Sequence, residues 1–213
     1  RLRCDWSSDV CSSDLIMGEL TDKQRSAVEK IQSNAERLRN LIGDILDAEK
    51  LDMEKMKFDY SEINITEFFT HLKANLQDVM KTKELEYNVS SDAELVMTTD
   101  KDRLEQVFNN IIFNAVDFVN QKGRIDVNAK DSGDNIEFSV RDNGVGIPKT
   151  KLDGLFKKFY QVDTSMTREH GGTGLGLAIV KGIVSGIGGK IWVESKENFG
   201  TTFYFTIPKK PKN

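Results

Sequence analysis

Asn109, Asn110 and Asn114 stand in the apolar run DRLEQVFNNIIFNAVDFV, at positions where a core helix would carry leucine or alanine. If the run is helical, Asn110 and Asn114 share one face. A buried carboxamide is costly unless it is hydrogen-bonded. The asparagines are therefore either core amides satisfied within the fold or on a partly exposed face, or carboxamide oxygens turned toward a metal ion or a phosphate. Magnesium favours an octahedron of oxygen ligands completed by water and nucleotide phosphates, which gives the second reading its chemistry. In RDNGVGIP, Asp142 is either a turn-former or an acceptor for an exocyclic amine, and Gly144 and Gly146 either make tight turns or let the backbone approach a flat ring. The aromatics Phe156, Phe159 and Tyr160 of GLFKKFYQVD are of a kind more often found in a core. HGGTGLGLAIVK places Gly171, Gly172, Gly174 and Gly176 before and within the first turn of a helix, where unbonded backbone amides can hold an anion. The strand-bound GxGxxG and GxxxxGK(S/T) patterns of other phosphate-binding loops do not occur.

The elements that must position these groups are legible from periodicity. From Leu20 to about Lys55 apolar residues recur at steps of three and four, without proline, as in a long amphipathic helix, and Thr21 with Gln24 forms a capping box at its start. Such a helix requires a partner for its apolar stripe. KFDYSEI alternates like a strand, Ile65 to Lys81 has helical spacing, and ELEYNV and ELVMTTD alternate again. Asp100 caps the asparagine-bearing helix, which ends before Gly123. GRIDVNAK and NIEFSVRDNG read as a hairpin turning at Ser132 to Asp134. GKIWVES and GTTFYFTIP read as a second hairpin turning near Glu197 to Phe199. Between the hairpins a glycine-rich stretch leads into the helix LGLAIVKGIVSGI. Strands and helices come in runs rather than strict alternation, so the expected fold is α+β, a two-layer α/β sandwich with helices on one sheet face and a long N-terminal helix.

The bulk composition narrows the function. The 213 residues, 38% hydrophobic and 30% charged with three prolines, describe a folded protein rather than a disordered or fibrous one. A net charge of −4 supplies no general field for nucleic acid or an anionic membrane, so a phosphate ligand must be held by local devices. Both cysteines, Cys4 and Cys11, fall in the opening segment. There CDWSSDVCSSDL matches the conceptual translation of a sequencing-library adapter, and no histidine or further cysteine completes a ligand set beside them. Residues 1–15 are set aside as an artefactual or disordered leader. The rest has no cysteine, as suits a reducing cytosol.

Taken in order, NNIIFNA, DNGVGIP, FKKFYQVD and GGTGLGLAIV resemble the catalytic domain of sensor histidine kinases, and SNAERLRNLIGDILDAEKLD resembles the second helix of their dimerisation hairpin. The resemblance spans about Leu20 to Pro208. It implies the Bergerat ATP-binding fold, with residues 16–56 as the hairpin's second helix and 57–210 as the catalytic domain. By the family pattern Asn114 holds magnesium, Asn110 assists at the phosphates, Phe118 packs on adenine and Asp142 accepts from its amine. Gly144 and Gly146 shape the base pocket, and Thr201 or Thr202 contacts the base through water. The segment from about Lys149 to Thr173 is the lid, and Gly172, Thr173, Gly174, Leu175 and Gly176 wrap the phosphates. The implied cofactors are ATP and Mg2+. The implied partners are a response-regulator receiver domain, the histidine helix of the hairpin and a second copy of the parent protein, with no nucleic acid and no direct membrane contact by this chain. The implied location is cytoplasmic, with any anchor lying upstream.

The family's acceptor motif, a segment like HELRTP, does not occur. The histidines are His71, expected on a helix surface, and His170, expected in the lid, so this chain by itself is not expected to phosphorylate itself. Asp117 stands where many relatives carry a basic residue and Gln161 where many carry arginine, which removes positive charge near the phosphates; Lys157, Lys158 and Arg168 are the candidates to restore it. Three functions fit. One is γ-phosphoryl transfer from magnesium ATP to a histidine for relay to an aspartate. A second is an ATP-hydrolysing switch, disfavoured because Asn110 occupies the place of the glutamate that activates water in those relatives and has no useful basicity. The third is a non-catalytic nucleotide-binding or interaction module, which Asp117 and Gln161 keep open; the first is the reading preferred for the parent protein.

Overall fold

The computed structural model describes residues 20–53, 55–92, 94–162 and 173–211; the leader, Arg168, His170, Gly171 and Gly172 lie outside them. The chain divides between Ile42 and Gly43 into two units. The first holds most of helix α1 (Asp22–Asp52), which runs on into the second. The expected capping box is formed: Thr21 donates its backbone N–H to Gln24 Oε1 at 2.9 Å, and Gln24 N–H donates to Thr21 Oγ1 at 3.4 Å. The apolar residues Val28, Ile31, Leu38 and Ile42 of this part are exposed.

The second unit is the α+β sandwich. After α1 come β1 (Ser61–Asn64), α2 (Ile65–Thr82), β2 (Glu86–Ser91), β3 (Val96–Thr99), α3 (Lys101–Phe118), β4 (Arg124–Ser132) and β5 (Asn135–Asp142). The short α4 (Lys149–Leu152), α5 (Gly176–Gly186), β6 (Lys190–Lys196) and β7 (Gly200–Pro208) follow. Side chains cap the two long helices where backbone N–H groups would otherwise be orphaned. Asn64 Oδ1 accepts from Thr66 N–H (2.9 Å) and Glu67 N–H (3.2 Å), and Asp100 Oδ1 accepts from Arg103 N–H (3.0 Å).

Five strands form one sheet in the order β2-β4-β5-β7-β6. Both expected hairpins are present, β4 with β5 and β6 with β7, all antiparallel. The pairing of β2 with β4 is parallel, and β1 pairs with β3 in a separate antiparallel ribbon. Of the alternating run KFDYSEI, only its end becomes strand, because β3 offers partners to Ser61–Asn64 alone. Helices α2, α3 and α5 cover one face of the sheet. Inward residues of β5 and β7 meet Phe108 of α3, whose ring stands edge-on to Phe138 (5.4 Å between centroids) and Phe205 (5.2 Å), while Phe138 and Phe205 stack at 4.9 Å. The opposite face is polar apart from Trp192 and Tyr204, a cross-strand pair stacked at 5.4 Å.

The last turns of α1 belong to this unit and are fastened to it. Asp47 accepts from Arg103 Nη1 and Gln106 Nε2, each at 2.8 Å, and Ala48 is buried. Leu51 packs where a Cβ on Gly182 would stand, 2.4 Å from Leu51 Cδ1. Lys158 donates to the carbonyl of Ala48 (3.0 Å) and pairs with Asp52.

Candidate functional site

The sheet ends and helix ends that carry the singled-out residues converge on a cavity of about 320 Å3. Its base end is built at the C-terminus of β5. Asp142, 6% exposed, accepts at one oxygen, Oδ1, from Gly144 N–H (2.8 Å) and Thr201 N–H (3.2 Å), so Oδ2 takes neither bond. Burial pushes this carboxyl above the ordinary carboxylate range, and the two backbone donors pull it back in part. Thr201 lines the cavity, with its hydroxyl 2.9 Å from Ser195 Oγ; Ser195 Oγ in turn donates to Gly200 O and accepts from Ile147 N–H. Thr202, the alternative position for a base contact, is not among the lining residues.

Gly146 adopts φ +69°, and a Cβ there would lie 2.2 Å from Lys196 O, so glycine is required at this wall. Gly144 does not line the cavity. Its missing side chain makes room for Phe118 O, 2.4 Å from where a Cβ would be, and this locks the strand-end loop to the end of α3. Phe118 lines the wall with Val145, Ile147, Leu155, Leu177 and Phe203, an apolar slot suited to a flat ring.

At the other end stand Asn110 and Asn114, half-buried and both lining the cavity. Asn110 Oδ1 lies against the first residue of α5, 2.9 Å from where a Cβ on Gly176 would be. Among the described residues no side chain caps the N-terminus of α5, the geometry in which first-turn amides can take an anion. Thr173, Gly174 (φ +68°) and Gly176 line this end. The Leu175 side chain is buried at 2% exposed, and its amide donates to Thr173 Oγ1 at 3.1 Å. Gly172 lies outside the described residues.

The charges near this end also differ from expectation. Asp117 lines the cavity, but Lys83 of α2's C-terminal cap stands 3.6 Å from it and offsets its charge. Lys158 is committed to the end of α1 and does not replace the missing arginine. Of the aromatics, Phe156 packs edge-on to Phe203, Tyr160 lines the cavity, and Phe159 is 72% exposed, contrary to a core role. His71 is exposed on α2. A lining residue that sequence reasoning missed is Asp44 of α1, which sits between the apolar Ile42 and Ile45 and carries no local signal. Burial, and then the charge of Asp47, raise its carboxyl above the ordinary range, while a hydrogen bond from the Thr173 side chain pulls it down. The carboxamide oxygens of Asn110 and Asn114 are hard donors of the kind magnesium takes beside water and phosphate oxygens, so the residues present fit such an ion.

A buried carboxylate at one end of the cavity and the start of a glycine-led helix at the other are the arrangement of a nucleotide-binding fold. The chain belongs to the histidine kinase-, DNA gyrase B-, and HSP90-like ATPase family, whose pattern matches residues 99–211, and the nucleotide implied is ATP. It is 36% identical over 199 residues to the circadian input-output histidine kinase CikA of Synechococcus elongatus, covering 91% of this chain and 26% of that protein. It is 38% identical over 184 residues to the sensor histidine kinase WalK of Bacillus subtilis, covering 84% of this chain and 30% of that one. The chain thus spans less than a third of the length of these curated relatives. Among solved structures, full-length ShkA in complex with AMPPNP superposes with a TM-score of 0.78 at 26% identity, over 91% of this chain and 40% of that one. Its fold and family are those of the catalytic ATP-binding part of sensor histidine kinases.

Proposed function

We propose that the chain serves a protein histidine kinase by binding magnesium ATP in this cavity and presenting the γ-phosphoryl to a histidine imidazole, with ADP as the leaving product. In this reading the phosphohistidine passes its phosphoryl group to an aspartate of a response-regulator receiver domain, and the parent protein works as a homodimer in the cytoplasm. Residues 16–56 act as the second helix of the dimerisation hairpin and 57–210 as the catalytic domain. The observation that carries the proposal is the joining in one cavity of buried Asp142, the Asn110–Asn114 face of α3 and the uncapped N-terminus of α5.

Asp142 accepts the adenine amine, Phe118 and the apolar slot hold the ring, and Thr201 bridges to it through water. Asn114 binds the metal, Asn110 bonds a phosphate oxygen, and the backbone at Thr173, Gly174 and Gly176 takes the polyphosphate, with Gly172 completing the loop. A magnesium ion there supplies charge neutralisation for the transferring group. Transfer to a histidine asks mainly for positioning and charge stabilisation, whereas hydrolysis asks for a group that orients or activates water, which Asn110 does poorly. The proximity of Lys83 to Asp117 supports a working site over a degenerate one.

Calorimetric titration with ATP, with and without magnesium, tests the reading. Metal-dependent binding that Asn114→Ala weakens at least about tenfold is expected, the loss of one oxygen ligand to the ion. Binding should be followed by phosphohistidine on an acceptor hairpin supplied in trans. No binding at millimolar ATP would move the chain to the class of interaction modules.

A further inference from the structure

Among the described residues, the lining of the cavity is a poor electrostatic match for a bare polyphosphate. Its described lining contains three carboxylates, Asp44, Asp117 and Asp142, and neither lysine nor arginine. Two of the three are accounted for. Asp142 stands at the base end, tied to Gly144 and Thr201, and Asp117 faces Lys83. Asp44 is different in origin and in place. It comes from α1 rather than from the sandwich, and it lines the same cavity as Thr173, Gly174 and Gly176, the residues of the phosphate end. Among the described residues it forms no ion pair, and Asp47, one turn along α1, adds charge of the same sign while being itself engaged by Arg103.

Contacts of the turn that follows hold Asp44 in the wall in this structure. The next turn of α1 is held by Asp47 to Arg103 and Gln106, by Ala48 in the core, and by Lys158 to Ala48 O and Asp52. A triphosphate entering this end therefore meets a carboxylate in a partly desolvated wall, where Coulomb interactions are stronger than in water. A divalent cation on the phosphates removes much of that repulsion.

We propose that Asp44 is a specificity-determining residue, whose carboxylate, carried into the cavity wall by α1 beside Thr173, makes the site select the metal complex of the nucleotide over the free anion. The inference rests on the nucleotide reading above and concerns a residue outside the segments 99–211 that define the family match. Asp44 works through charge and is not a ligand of the metal.

Calorimetry on the full chain, with ATP in EDTA and ATP in excess magnesium, reads the ratio of the two affinities. Asp44→Asn, which keeps an acceptor for Thr173, should tighten metal-free ATP about tenfold and move the magnesium complex much less, the size expected for removing one like charge at close range. Asp44→Glu should retain the wild-type ratio. The ratio is read on one preparation, so a partly unfolded variant loses both affinities together. Wild-type binding with an unchanged ratio in Asp44→Asn would overturn the inference alone. Selective loss of the magnesium complex in Asp44→Asn would overturn it too, by making Asp44 a metal ligand. No binding of either form to the wild type would overturn the nucleotide reading itself.

Discussion

At the scale of single residues, Asp142 has two duties that pull against each other. Its Oδ1 anchors the backbone at Gly144 and Thr201, while burial disfavours its charge and no cation among the described residues pairs with it. A folded-state carboxyl held above its unfolded value favours folding at acid pH, and that contribution is lost as pH rises through the raised value. Asp142→Asn, which keeps an acceptor and removes the charge, should therefore raise the melting temperature at neutral pH. The same change turns an acceptor for the adenine amine into a donor, and it should weaken nucleotide binding by about 1.5–3 kcal/mol, the worth of a hydrogen bond to a charged group. Binding of a fluorescent nucleotide to the wild type should also fall as pH drops from about 7 toward 4, with a midpoint above that of an exposed aspartate, and the variant should lack this dependence. The glycines supply a second contrast. Gly146→Ala must adopt φ +69° with its Cβ 2.2 Å from Lys196 O, and it should cost about 3 kcal/mol or more in a melting experiment. Gly43→Ala on α1 meets nothing within 4 Å and should instead stabilise by about 0.5–1 kcal/mol.

At the scale of elements, the end of α1 is fastened to α3 by side chains rather than by a broad apolar contact. Asp47 is the centre of that fastening because one carboxylate oxygen takes both the Arg103 and Gln106 donors. Asp47→Ala leaves Gln106 Nε2 without this acceptor and Arg103 Nη1 with Gln106 Oε1 alone in a part-buried place, and should cost about 1–3 kcal/mol. Hydrogen exchange should show the effect where it originates, with faster exchange of amides in the last turn of α1 and little change in β5 or β7. Equal protection of that turn in variant and wild type would mean that Leu51 and Ala48 alone hold it. Helix α3 is the element on which site and core meet. Its Leu104, Val107, Phe108, Ile111 and Ile112 are buried, while Asn110 and Asn114 face the cavity from an adjoining side.

At the scale of the whole molecule, the described residues contain no helix long and apolar enough to cross a membrane. The first unit exposes Val28, Ile31, Leu38 and Ile42 along one helix, an arrangement that is not stable alone in water. Self-association of the chain through this stripe is the expected outcome, read as a rising weight-average mass in a sedimentation concentration series. Ile31→Glu should abolish the rise, and a strict monomer at high concentration would show that the stripe is covered by something other than a second copy.

The sequence by itself determined the elements, because their signals are local. Periods of two and of three to four, the caps Asn64 and Asp100 and the turns at Gly133 and Asn198 act within a few residues, and the hairpins and helices fall where those signals place them. The order of the four chemical segments likewise made the family legible, since NNIIFNA, DNGVGIP, FKKFYQVD and GGTGLGLAIV are each contiguous in the sequence. What only the tertiary structure decided is which distant groups meet. The parallel pairing of β2 with β4, the separate β1-β3 ribbon, Lys83 beside Asp117, and Lys158 spent on α1 are all set by packing between segments far apart in the chain. Asp44 is the clearest case: nothing in its neighbours distinguishes it from any solvated aspartate on a helix, and only the docking of α1's last turns against α3 makes it a wall of the cavity.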